Sequence, residues 1–203
     1  MPGLVRSGPA SRTVHEAHLS KYARLGDYHW REYAAGTTYA RHAEAVRGWI
    51  REHRILDVGG GDGLITALLR ADGREAEIVD ADLLAVQLAI GHGMPAKRGT
   101  VYALPGGRWD AVLLGDVLEH LADPLMALRQ LARVAPVLYI ATPPKRPAGF
   151  ADPFHLQEFT IPELIAIAGR AGWAFDTAMI DHGRIRARFT RSPWWQRWRM
   201  RIT

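Results

Sequence analysis

The stretch Arg54-Ile55-Leu56-Asp57-Val58-Gly59-Gly60-Gly61-Asp62-Gly63 decides the fold. An apolar run that ends in glycines reads as a buried strand followed by a tight turn. Glycines there let the backbone bend sharply and let a ligand lie against it without meeting a Cβ. The dinucleotide pattern G-x-G-x-x-G fails, because counting from Gly59 its third glycine falls on Leu64. The order is instead Asp-x-Gly-x-Gly-x-Gly, headed by Asp57. That carboxylate repels a pyrophosphate and attracts an ammonium group, so the turn favours a zwitterionic or cationic ligand.

Downstream, Asp62–Ala71 places Leu64, Ile65, Leu68 and Leu69 on one side and reads as a helix. Glu75–Asp80 follows as a strand, Asp82–Gly91 as a helix, and a short third strand is expected near Val101. Trp109–Leu114 reads as a strand, Asp123–Val134 as a helix and Val137–Ala141 as a strand. Thr160–Ala171 is a helix capped by Thr160, with Pro162 near its start. Trp173–Ile180 and Arg184–Thr190 are β-like runs around the turn signal Asp181-His182-Gly183. The alternation predicts an α/β, Rossmann-like, doubly wound, seven-stranded and mostly parallel sheet, with an antiparallel C-terminal strand. Such sheets bind ligands at the carboxyl ends of their strands. Upstream, residues 1–12 read as a flexible N-terminus and 13–50 as an aromatic-rich helical lid of two or three short helices. The core spans 54–190 and the whole domain 13–190, with 191–203 left as a basic, Trp-rich tail.

Of the 203 residues, 48% are apolar and 23% charged, which suits one soluble domain and excludes global disorder. The absence of cysteine removes disulfides, thiolate metal sites and cysteine nucleophiles, and fits a reducing compartment. No run of 18 apolar residues occurs, and the first fifteen residues lack the apolar centre of a signal peptide, so a cytoplasmic location is expected. Net charge is +5, from 26 basic and 21 acidic residues. Seven arginines and no acid lie between His182 and Thr203, which leaves 19 − 21 = −2 for the rest. A nucleic-acid partner wants basic charge spread over a face, and this chain concentrates it in one patch. In the tail, Trp194, Trp195, Trp198 and Ile202 fall on one helical arc flanked by arginines, a pattern suited to peripheral membrane contact.

On these residues the chain resembles the class I S-adenosylmethionine-dependent methyltransferases, from about Arg54 to Thr190. Five segments carry the likeness in order: the glycine turn; Asp80 ending the second strand; Ala103-Leu104-Pro105 with Trp109-Asp110-Ala111-Val112-Leu113-Leu114; Gly115-Asp116-Val117-Leu118-Glu119-His120; and Asp152-Pro153-Phe154-His155-Leu156-Gln157-Glu158-Phe159-Thr160. The resemblance implies S-adenosyl-L-methionine as cofactor, with Asp57, Gly59, Gly61, Asp80, Ala81 and Asp116 around it. Asp80 would take both ribose hydroxyls, because a carboxylate accepts two hydrogen bonds at once. Thr100 stands where many relatives place an acid for the adenine amino group, which turns attention to packing from Leu83 or Tyr102. Arg31 or Arg41 of the lid would face the cofactor carboxylate.

The sulfonium is already activated, so the protein mainly aligns it with a nucleophile and excludes water. A hydroxyl acceptor also needs a general base, for which His120 and His155 are the candidates. Asp116, Glu119, His120 and His155 resemble the metal-binding segment of ubiquinone-pathway and small-RNA O-methyltransferases, and mixed O/N ligands suit Mg²⁺, Mn²⁺ or Zn²⁺. The reading is therefore a methyltransferase acting on a small molecule, at oxygen. Its rivals are a metal-assisted RNA 2′-O-methyltransferase and a non-catalytic cofactor-binding module of the same fold. The acceptor and the oligomeric state are not legible in the sequence.

Overall fold

The structure is a computed structural model and describes residues 21–104, 106–147, 152 and 154–192. The expected flexible N-terminus and most of the Trp-rich tail lie outside the described residues, as do Pro105 and Pro153 of the motifs above.

Three short helices come first: α1 (Lys21–Leu25), α2 (Tyr28–Ala34) and α3 (Thr38–Trp49). Positive-φ glycines separate them, Gly26 at φ 57° and Gly36 at φ 65°. The core then runs β1 (Arg54–Val58), α4 (Leu64–Ala71), β2 (Glu75–Asp80), α5 (Leu83–Gly91), β3 (Ala96–Arg98) and β4 (Ala111–Gly115). A 3₁₀ turn over Leu118–His120 leads to α6 (Pro124–Val134), β5 (Val137–Thr142), α7 (Ile161–Arg170), β6 (Trp173–Asp181) and β7 (Arg184–Arg191). The seven strands form one sheet in the order β3-β2-β1-β4-β5-β7-β6. The pairs from β3 to β5 are parallel, and β7 lies antiparallel between β5 and β6, so only the last strand runs against the others.

Alternation along the strands sorts side chains to two faces. Leu56, Val58, Val112, Leu114, Leu138 and Ile140 pack with α6 and α7. Ile55, Leu113, Tyr139 and Ala141 pack against Val46 and Ile50 on the lid side and Leu69 of α4. Burial of each such aliphatic side chain is worth about 1.5–3 kcal/mol, so both faces of the central strands hold the sheet between helical layers. Trp173 closes the far end, its indole N–H donating to the Leu128 carbonyl at 2.9 Å.

Most boundaries lie within one residue of the sequence reading; β4 starts at Ala111 rather than Trp109, and two further differences have a plain physical cause. Helix α4 starts at Leu64, not Asp62, because Gly59, Gly61 and Gly63 adopt φ of 77°, 60° and 88° and keep the chain out of the helix until Gly63 caps it. The third strand lies at Ala96–Arg98, before Val101. It is an edge strand with Lys97 and Arg98 exposed, so no apolar run marked it. Among the described residues, no helix is long and apolar enough to cross a membrane.

Candidate active site

A cavity of about 870 Å³ opens at the carboxyl ends of β1, β2, β4 and β5, and residues of α1 to α3 close over it. The first strand delivers Asp57, Val58, Gly59 and Gly60 to its wall. A Cβ on Gly59 would meet the Val117 side chain at 2.3 Å, and one on Gly60 would meet the Asp57 carboxylate at 2.9 Å. The turn is therefore a backbone cradle that side chains would fill. Gly61 has another task. It is not part of the cavity wall, and a Cβ there would lie 2.1 Å from the Tyr22 hydroxyl, so this glycine lets the lid seat itself.

Asp57 is buried on the floor of the cradle and accepts the Thr66 hydroxyl at 2.8 Å. Among the described residues it has no cationic partner, and burial pushes its carboxyl from 3.8 up to about 7. Asp80 ends β2 and holds the turn in place, one oxygen receiving the Gly61 N–H at 2.9 Å and the other the Asp82 N–H at 2.8 Å. Burial raises the Asp80 pKa, and those two N–H groups oppose the rise. Ala81, Gly99, Thr100 and Tyr102 line the cavity beside it. Leu83 does not: it is 47% exposed and outside the wall, so of the two residues expected beside an adenine only Tyr102 is in place.

Asp116 follows β4 directly, at φ 52°, a left-handed conformation uncommon for a side-chain-bearing residue. Its carboxylate is gripped by Arg184 at the start of β7, with Nε and Nη2 at 2.6 and 3.0 Å from the two oxygens. This corrects the four-residue metal cluster: Asp116 is spoken for by a guanidinium. Glu119, His120 and His155 do come together, each offering a ligand atom within 4.8 Å of the others.

Glu119 is fully buried, with one oxygen receiving the Thr142 hydroxyl at 2.8 Å and the other without a partner among the described residues. Burial first, and the nearby Asp116 second, push its carboxyl up to about 8. His120 Nδ1 bonds the Phe154 carbonyl at 2.9 Å, and burial lowers its pKa, which leaves the ring neutral at pH 7. His155 Nδ1 bonds Glu158 at 2.8 Å. The two rings meet edge to face at 5.1 Å.

The lid is fastened to the glycine turn through Asp62. Its carboxylate takes the His29 backbone N–H at 3.0 Å and bonds the His29 ring at 2.9 Å, while its carbonyl accepts the Trp30 indole at 2.9 Å. Trp30 also stacks on His92 at 4.1 Å, so it anchors the lid rather than facing the cavity. Tyr33 points away and bonds Glu44, while Tyr28, His29 and Glu32 reach the wall. The cavity's lid cations are Lys21 and Arg24, not the expected Arg31 and Arg41, which bond Asp27 and Thr38 instead. Lys21 sits over the Tyr28 ring at 4.5 Å, and burial lowers its ammonium pKa. The sequence reading also missed His42, a buried ring in the cavity wall whose Nδ1 has no partner among the described residues. Its spacing on α3 matched that of ordinary core residues.

The family described as methyltransferase domain matches residues 22–178. A ubiquinone biosynthesis O-methyltransferase of Xanthomonas oryzae pv. oryzae is 29% identical over 163 residues, covering 70% of this chain and 67% of that enzyme. One from Parvibaculum lavamentivorans is 32% identical over 111 residues, covering 49% of this chain and 44% of that enzyme. Among solved structures, magnesium protoporphyrin IX methyltransferase from Synechocystis PCC 6803 with bound SAH matches at a TM-score of 0.68 and 16% identity, covering 89% of this chain and all (100%) of that one. The 1,6-didemethyltoxoflavin-N1-methyltransferase of Burkholderia thailandensis matches at a TM-score of 0.68 and 20% identity, covering 95% of this chain and 94% of that one. At these identities the solved structures speak for the fold.

Proposed function

The chain belongs to the methyltransferase-domain family, and from that premise we propose that it transfers the methyl group of S-adenosyl-L-methionine to an oxygen of a small-molecule acceptor. The residues present fit that cofactor. A glycine cradle lines the cavity, a buried Asp57 with no cationic partner among the described residues suits its ammonium group, and Asp80 lines the cavity as a candidate acceptor for a diol. Lys21 is the lid cation placed for its carboxylate. When bound, the cofactor supplies an activated methyl on a cationic sulfur. The chain's own contribution is alignment, exclusion of water and management of one proton.

The observation that carries the reading is the Glu119, His120 and His155 group in the cavity wall. His120 is neutral at pH 7, and His155 has its Nδ1 committed to Glu158, so the two rings are the acceptors for the hydroxyl proton. Protonated Glu119 supplies a hydrogen bond that an ionised carboxylate would lack. Two of its relatives are named ubiquinone biosynthesis O-methyltransferases, which favours oxygen over nitrogen.

A second reading, metal-assisted transfer, is favoured by one observation: Glu119, which has one oxygen without a partner among the described residues, offers a ligand atom within 4.8 Å of those of His120 and His155. Glu119, His120 and His155 would hold a divalent ion that orients and acidifies a hydroxyl. Activity that survives exhaustive chelation excludes it.

Calorimetry with S-adenosyl-L-homocysteine tests the main reading. Wild type should bind, and Asp80→Ala, which loses the link between β2 and the glycine turn, should weaken binding by at least about tenfold, ~1.4 kcal/mol. Equal affinities would reject the role of Asp80.

A further inference from the structure

The connection from β5 to α7 carries His155, and its geometry converges on Glu158. This carboxylate is only 5% exposed on its side chain. One oxygen receives the Arg146 backbone N–H at 2.9 Å; the other receives Arg146 Nε at 3.1 Å, Arg146 Nη2 at 3.0 Å, and the His155 ring at 2.8 Å. The Asp152 N–H approaches the same oxygen at 3.4 Å. A carboxylate fixed by a guanidinium fork has no rotamer freedom left and no proton to give. It can only accept, so the ring nitrogen facing it must be the one that carries hydrogen.

We propose that Glu158, locked by Arg146, is a positioning residue that holds His155 in the Nδ1–H tautomer and thereby turns its Nε2 lone pair toward the cavity. The inference rests on the methyltransferase reading for its purpose, but its geometry stands on contacts within the chain. The same clamp reaches His120. Residues 154–157 are hooked onto the turn that bears His120 and Glu119, through Phe154 O to the His120 ring and through the Leu156 and Gln157 N–H groups to the Glu119 carbonyl at 2.9 and 3.2 Å. Glu158 thus sets the registry of both rings from outside the cavity wall. Groups that orient a working imidazole in this way typically matter 10–100-fold for the site they support.

The test is a long-range ¹H–¹⁵N spectrum of the ligand-free full chain, with His155 assigned by His155→Gln. Recorded at about pH 9, where an ordinary imidazole is neutral, wild type should show the His155 ring proton on Nδ1. Glu158→Ala should move that proton to Nε2, and Glu158→Gln, whose amide oxygen still accepts, should restore the wild-type pattern. Wild-type protein with the proton on Nε2 overturns the proposal, and so does an unchanged tautomer in Glu158→Ala. If Glu158→Ala fails to fold, the wild-type spectrum alone decides. S-Adenosyl-L-homocysteine affinity, expected to stay within about twofold in Glu158→Gln, is read in parallel. No binding by wild type would sink the methyltransferase reading while the tautomer result stands by itself.

Discussion

Asp57 makes the cofactor end of the cavity answer to pH. Its carboxyl titrates at about 7 because burial strips it of water and only the Thr66 hydroxyl replaces that hydration. At pH 6 it therefore carries ~0.9 proton and at pH 8 ~0.1. A ligand ammonium docked against it requires the ionised form. Binding at pH 6 then expels ~0.9 proton, and Kd improves about tenfold between pH 6 and pH 8, equivalent to ~1.4 kcal/mol. Calorimetry with S-adenosyl-L-homocysteine at pH 6, repeated in buffers of low and high ionisation heat, counts that proton directly. Asp57→Asn should abolish both the proton release and the pH trend. Stability follows the same linkage. The folded pKa lies above the unfolded one, so the contribution is complete below about pH 4 and is lost as pH rises to 7. Asp57→Asn should gain on wild type over that window, with ~4 kcal/mol as the upper bound. A buffer-independent heat at pH 6, or an Asp57→Asn variant with the wild-type proton count, would refute the argument that this carboxylate meets a cation.

Two further substitutions probe the lid and the chemistry. Gly61→Ala combines a φ of 60° with a Cβ 2.1 Å from the Tyr22 hydroxyl, so it should lower Tm by roughly 3–10 °C, and a Tyr22→Phe background should recover part of the loss. An unaltered Tm would mean that the lid does not seat on this turn. Glu119→Leu, which removes the donor, should keep S-adenosyl-L-homocysteine affinity within about twofold and slow methyl transfer about 10²-fold, while Glu119→Gln, whose amide still donates, should recover most of the rate. Undiminished turnover in Glu119→Leu would remove Glu119 from the chemistry.

What was legible in the sequence follows from the range of the interactions. Strands β1 and β2 begin and end where expected because an apolar run closed by Gly59 or Asp80 is a local signal. Strand β3 escaped because an exposed edge needs no apolar residues. Asp57, Gly59, Asp80, Ala81, Asp116, His120 and His155 all reach the cavity, since the strand ends that carry them point one way in a parallel sheet. The partners of those residues were hidden. Arg184 meets Asp116 across 68 residues, and no spacing rule links a turn after β4 to the last strand. Arg31 and Arg41 were preferred over Lys21 and Arg24 because a break at Gly26 leaves the relative rotation of two short helices undetermined by periodicity. The raised pKa of Glu119 arises from burial at 0% exposure, which only the assembled fold creates.

The reversed direction of β7 has a consequence for how the molecule can be held. Its first residue, Arg184, stands at the rim of the cavity, and its end, Arg191, returns to the opposite pole, where the N–H of the next residue, Ser192, meets the Gly172 carbonyl at 2.9 Å. A tether, label or solid support joined there leaves the mouth facing outward, so immobilised protein should take up its small ligands as freely as protein in solution.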